Sequence, residues 1–378
     1  GKTGMAHFYE HLLFTGTENI PRGKWSEIQS ARGGSGNAST SWDRTNYYQS
    51  FPSNELKLAL WMESERLLHP IVDQKAVDTQ NEVVKEEKRQ RMDNAPYGKI
   101  QYGMVYKHLF DKHNYGRPLI GFIEDLDNAK LKEFKAFYDK WYMPNNAVLV
   151  VAGDFEKGEA KSLIKDYFEP IPSRTLPNRI KISEPERTIE KRVTEYDSNI
   201  QLPMIALMYK TPSMRDKDAL VLDVISTILS NGNSSRLQKK MVDDKKKALQ
   251  VFSFNRPLVE YSVYTIGAIP LGENSLDDLI VEMDEEINTL QTELISDEDL
   301  QKVRNKFENR FVSSNSSIQG IASSLASNYM LIGDTDRINS ELELVMSITK
   351  EDIREVAKKY LAKNRRVVID YLPEEKKK

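Results

Sequence analysis

His7 and His11 stand four residues apart with Glu10 between them, in the stretch Gly4-Met5-Ala6-His7-Phe8-Tyr9-Glu10-His11-Leu12-Leu13. On a helix, positions i and i+4 share a face, so two imidazoles would meet there with a carboxylate beside them. Two neutral imidazoles in that arrangement are a zinc-ligand pair. A carboxylate next to the metal, not on it, can take a proton from an attacking water. The order His-x-x-Glu-His inverts the commoner His-Glu-x-x-His. The chain has five histidines in 378 residues, so roughly 0.01 such matches are expected by chance. The chemistry on offer is metal-assisted hydrolysis, and it needs a third ligand.

The elements that must supply and support that ligand follow in the chain. Residues 37–51 are rich in Thr and Tyr and read as strand, entered through Arg32-Gly33-Gly34-Ser35-Gly36, whose glycines free the backbone to turn. A polar strand beside a metal site is an edge to which a peptide can add itself. Pro52 precedes a helical segment, 53–69, and residues 73–92 read as a second long helix. The apolar stripe of this second helix falls at Ala76, Val77, Val83 and Val84, with Gln80 between them and Glu87 next in the i, i+3, i+4, i+7 series. A carboxylate on an apolar face needs a partner, because burying it unpaired is costly, and a metal is one such partner. Glu86 lies about 100° round the helix, and Glu82 is also off the stripe, so both read as solvated. Periodicity makes Glu87 the candidate third ligand.

At 43.5 kDa the chain is too long for one ordinary core, and two domains are expected. It is 39% hydrophobic and 29% charged with net charge −3, a balance that argues against nucleic acid as partner. It holds no run of 18 apolar residues that would span a membrane. Cysteine is absent, so neither a disulfide framework nor a cysteine metal site is available. That leaves the compartment open, with the bacterial periplasm ahead of the cytoplasm. The motif helix comes so early that a strand ahead of it, for it to pack on, is expected in the native polypeptide.

On these residues the sequence resembles the pitrilysin/insulysin family of zinc metallopeptidases, inverted zincins that include mitochondrial processing peptidases and half-length bacterial subunits. The family carries His-x-x-Glu-His and, about 76 residues after the second His, a Glu; Glu87 lies 76 residues beyond His11. Its Gly-Gly-x-x-Asn-Ala-x-Thr stretch is matched by Gly33 to Thr40, and its Val-Val-x-x-Glu by Val83-Val84-Lys85-Glu86-Glu87. His113-Asn114-Tyr115-Gly116, the run from Tyr142 to Asp154, and Ser234-Ser235-Arg236-Leu237 resemble further landmarks, so the likeness spans nearly the whole chain.

The resemblance implies one Zn²⁺ held by His7, His11 and Glu87, with Glu10 as general base. It also implies that Asn37 and Ala38 align the substrate main chain along the edge strand. Many members have a supporting Glu seven residues before the third ligand; here Gln80 stands there, able to hydrogen-bond a ligand but without charge. Some members hold substrate with an Arg and a Tyr, and Arg256, Tyr261 and Tyr264 lie in the right region without the matching spacing. Peptides are the implied substrates, enclosed between two halves, so a homodimer or a heterodimer with a related subunit is expected. The rival reading is a non-catalytic binding or assembly subunit of a peptidase-like heterodimer; such members usually have a broken metal motif, and this one is intact.

Residues 132–141 read as a helix followed by a Pro-Asn turn and an apolar strand at 147–152. Residues 351–361, Asn364 and the strand 367–371 repeat that plan, with Tyr142 and Asn146 opposite Tyr360 and Asn364 at one offset of 218 residues. That constancy points to two copies of one unit. The Pro-rich stretch 171–187 reads as the linker between them. The expected fold is α+β: two similar domains, each a mixed or antiparallel sheet with helices packed on one side. The first (1–185) would bind zinc. The second (186–378) has no histidine and would be a related domain without a metal site. His69, His108 and His113 read as structural, Arg236 as one half of an ion pair, and the tail 374–378 as solvated.

Overall fold

The structure is a computed structural model that describes residues 2–374; the last four residues of the charged tail lie outside the described residues. The first helix, α1 (Met5–Leu12), buries Met5, Phe8, Tyr9 and Leu12, the i, i+3, i+4, i+7 set of one helical face. Each such side chain, fully buried, contributes roughly 1.5–3 kcal/mol. The helix begins at Gly4, whose φ is +80°; a Cβ there would lie 2.4 Å from the Ile120 carbonyl oxygen and 2.8 Å from Gly121 Cα. Only glycine lets the two chains approach so closely.

The strand read over 37–51 is a hairpin of two. Strand β1 (Ser35–Thr40) pairs antiparallel with β2 (Thr45–Ser50), with Thr40 opposite Thr45, and the Ser41 N–H closes the turn on the Arg44 carbonyl at 2.8 Å. Trp42-Asp43-Arg44 is the turn, and composition alone did not mark it because Trp and Thr favour strand. Helix α2 (Trp25–Ala31) precedes this hairpin and helix α3 (Leu56–Leu68) follows it. Helix α4 (Gln74–Lys88) is capped by Asp73, whose carboxylate accepts the Ala76 N–H at 2.9 Å. It lays Ala76, Val77 and Val84 on α1. Val83, expected on that stripe, is 43% exposed; it sits one residue off the face that α1 covers. Helices α5 (Leu131–Trp141) and α6 (Lys157–Phe168) complete this half, and the Phe134 ring of α5 packs tilted against Phe8 and Tyr9.

The second half holds a five-stranded mixed sheet, in the order β3-β7-β4-β6-β5. Its strands are β3 (Lys191–Asp197), β4 (Met204–Thr211), β5 (Ala248–Arg256), β6 (Ser262–Pro270) and β7 (Arg366–Pro373). Only the β3–β7 pair is parallel. Helices α7 (Lys217–Ser230), α8 (Leu276–Thr292), α9 (Asp297–Ser314) and α10 (Lys350–Tyr360) form a core with one face. Its other face is covered by the first half: Ile100, Val105, Tyr106, Leu109, Phe110 and Tyr115 pack on strands β4, β6 and β7. The architecture is therefore α+β, with two sheets and many helices.

A shift of 218 residues carries α1 into α7 and β2 into β6, and to within one residue it carries α5 onto α10 and the turn at Pro144–Asn146 onto the turn at Lys363–Arg365. One expectation fails on the same register. Residues 147–152 form no ladder with any described residue, whereas β7, their counterpart, is paired on both sides. Their apolar sequence gives the extended preference, but a strand also needs a neighbour's N–H and C=O groups.

Candidate metal centre

The spacing of His7 and His11 places both rings over α4, with their centroids 4.8 Å apart. Both Nε2 atoms face Glu87 Oε2, at 3.4 Å from His7 and 3.0 Å from His11. The three donor atoms lie within 4.8 Å of one another. A tetrahedral ion bound at about 2.0–2.1 Å by each donor spaces them roughly 3.3 Å apart, so the set fits zinc. The protonation states fit as well. Burial lowers His7 to about 4, against the opposing pull of Glu87, so its imidazole is neutral at ordinary pH and offers a lone pair. Burial also pushes the Glu87 carboxyl up, but the His11 hydrogen bond and the charges of His7 and Arg91 outweigh it and leave Glu87 below the usual range. The buried His7 Nδ1 has no hydrogen-bond partner among the described residues.

Glu10 projects from α1 beside this cluster. Its carboxylate accepts a hydrogen bond from the Thr40 hydroxyl at the end of β1. Burial raises its pKa, and the Thr40 hydrogen bond opposes part of that rise. A raised carboxylate is a stronger base, which suits proton abstraction from water.

Gln80 is half-buried on α4 and makes no hydrogen bond to the unpartnered His7 Nδ1. Asn37 and Ala38 lie on β1, Asn37 exposed, and the Asn37 Oδ1 accepts the Ala38 N–H at 2.8 Å. Arg256, Tyr261 and Tyr264 serve other ends. Arg256 stacks over Trp42 and Tyr106 and donates to the Gln101 carbonyl. The Tyr261 hydroxyl accepts the Glu184 N–H, and Tyr264 is fully buried in the sheet. His69 pairs with Glu65, His108 with Glu195, and Arg236 with Asp299.

Two side chains in contact with the site escaped the sequence reading. Thr40 was seen only as the last letter of a motif, and its bond to Glu10 depends on where the hairpin sits. Arg91, 2.8 Å from Glu87 Oε1, stands at i+4 from it, a pairing that helix geometry alone could have flagged.

The chain is similar to known proteins in both sequence and fold. A family model described as Insulinase (Peptidase family M16) matches residues 2–122, and one described as Peptidase M16 inactive domain matches residues 128–307. The chain is 30% identical over 363 residues to the zinc protease PqqE of Helicobacter pylori, covering 95% of this chain and 81% of that one. It superposes on the crystal structure of a protease from Helicobacter pylori with a TM-score of 0.91 at 28% identity, covering 98% of this chain and 90% of that one. On the periplasmic protease PqqL from Escherichia coli the TM-score is 0.77 at 19% identity, a likeness of fold. There 98% of this chain matches only 43% of the other, so this chain corresponds to less than half of that protein. From the matching family models, the PqqE relative and the shared fold, the chain belongs to the insulinase (M16) peptidase family, as a member of half length.

Proposed function

We propose that the chain is a zinc-dependent endopeptidase. The observation that carries this reading is the convergence of His7, His11 and Glu87 on one point, with Glu10 beside them and not among them. His7 and His11 would hold the ion through Nε2 and Glu87 through Oε2. Bound there, zinc supplies Lewis acidity, which acidifies water and polarises the scissile carbonyl. Three protein ligands leave one position open, as catalytic rather than structural zinc sites do. Glu10 accepts the proton of the water that attacks the carbonyl carbon. It then passes that proton to the amine nitrogen as the peptide bond breaks. Thr40 holds the Glu10 carboxylate in place meanwhile.

The substrate in this reading is an extended peptide that adds to the free edge of β1, where Asn37 and Ala38 orient its main chain. The Ala38 N–H is occupied by the Asn37 side chain, so a peptide pairing at Ala38 must displace that bond. The zinc-binding unit is taken as residues 1–185 and the related unit without metal as residues 186–378. A second copy or a related subunit supplies the other wall of the substrate chamber, in line with the share of PqqL that the chain spans. No helix among the described residues is long and apolar enough to cross a membrane. The periplasmic setting named for PqqL is the compartment we assign.

The test is hydrolysis of an internally quenched peptide library by the purified protein. Cleavage is expected, lost with a zinc chelator and restored by added Zn²⁺. Cleavage indifferent to the chelator would refute the metal's role.

A further inference from the structure

The two oxygens of Glu87 have different partners. Oε2 faces the Nε2 atoms of His7 and His11, while Oε1 is 2.8 Å from Nη1 of Arg91. Arg91 belongs to a π-helical turn, Arg89–Asp93, that prolongs α4 beyond its last regular residue. That turn is fixed at its base: Lys88 Nζ donates to both Asp93 carboxylate oxygens, at 2.8 and 2.7 Å. The Asn199 side chain, from the second half, donates to the Asp93 carbonyl. The backbone that carries Arg91 is thus anchored to both halves. π-turns inserted in helices are frequent at functional sites because they re-aim side chains.

We infer that Arg91 is a positioning residue that confines Glu87 to one oxygen on the metal. This rests on the zinc reading given above. A carboxylate can bind an ion through one oxygen or two. With two imidazoles already in place, a second Glu87 oxygen would fill the fourth position of a tetrahedral site, the position a hydrolytic site keeps for water. The Arg91 guanidinium, in an ion pair 2.8 Å from Oε1, opposes that rotation, because swinging Oε1 toward the ion pulls the two opposite charges apart. The Arg91 side chain is 59% exposed, so the pair adds little to folding stability. What it sets is the direction of the carboxylate. The i±3 and i±4 neighbours of Glu87 are Val83, Val84, Gln90 and Arg91, so Arg91 is the cation on that face; Lys88 lies about 100° round the helix and is committed to Asp93.

The experiment uses the full chain with Co²⁺ in place of zinc, because the visible absorption of Co²⁺ weakens as its coordination expands from four to five. Wild type, Arg91→Gln and Arg91→Lys are compared for cobalt stoichiometry, band intensity and peptide hydrolysis. Wild type is expected to take up one Co²⁺ with an intense four-coordinate band. Arg91→Gln should keep the metal but show a weaker band, with kcat lower by about tenfold and KM unchanged. Arg91→Lys, which keeps the charge without the planar fork, should fall between the two. A Gln variant with the band and kcat of wild type would overturn the inference. So would a folded Gln variant that no longer binds cobalt, since Arg91 would then serve affinity and not the choice of oxygen. Wild type that binds neither cobalt nor zinc would overturn the zinc reading itself.

Discussion

Thr40 and Glu10 are thirty residues apart in sequence, yet the hydroxyl of one holds the carboxylate of the other. Glu10 is half-buried and its pKa is pushed up by burial, so it needs both an orientation and a partner that does not neutralise it. A hydroxyl provides both; a lysine in the same place would lower the base strength that the role proposed for Glu10 requires. Thr40→Val keeps the shape and removes the donor. It is expected to lower kcat by about tenfold with zinc content unchanged, the scale on which groups behind the reacting residues act. Thr40→Ser should retain most activity. Steady-state kinetics beside metal analysis checks this, and equal kcat in the Val variant would mean that Glu10 needs no such support. At this scale His7, Glu10, His11 and Glu87 were legible because residue type and spacing carry the chemistry. Thr40 and Arg91 were not, because their roles depend on which oxygen they face.

The donor cluster is only as exact as the contact between α1 and α4, which carry its three residues and Glu10. Helix α4 was legible from its 3.6-residue period, which buries Ala76, Val77 and Val84 but leaves Val83, also read on that stripe, exposed; α1 was read from the i, i+4 spacing of His7 and His11. What the period does not show is the start of α1. Gly4 lies against the backbone of residues 120–121, and both φ and space exclude a side chain there. Gly4→Ala therefore combines a left-handed conformation, which costs roughly 1–3 kcal/mol for a non-glycine residue, with a clash that displaces the helix. A denaturant midpoint should fall accordingly, and zinc affinity should fall with it because both imidazoles ride on α1. An unchanged midpoint would show that the chain at 120–121 yields easily. The hairpin and the segment 147–152 were less legible for one shared reason. A strand is defined by its neighbour, and neighbours are set by the fold and not by local preference.

Across the whole molecule the two halves differ in what they carry. The first carries every histidine in the chain. The second carries the larger sheet and receives Ile100 to Tyr115 on its open face. Asp43 at the hairpin turn joins them, accepting the Tyr115 hydroxyl at 2.6 Å and the Val259 N–H at 2.9 Å. Arg256 stacks on Trp42 across the same junction, so the hairpin whose Thr40 holds Glu10 is braced by the half without metal. The 218-residue offset was visible in the matching helix and turn positions, although the strand read at 147–152 is not one in the structure. The covering of one half's sheet by the other was not, because it arises from contacts hundreds of residues apart. The measurement that bears most directly on this account is zinc content and peptide hydrolysis taken together on wild type and Glu10→Gln. Zinc in both proteins, with hydrolysis lower by about 10²–10⁴-fold in the variant, is the predicted result. Zinc in both with equal hydrolysis would contradict Glu10 as the base, and zinc in neither would contradict the metal centre.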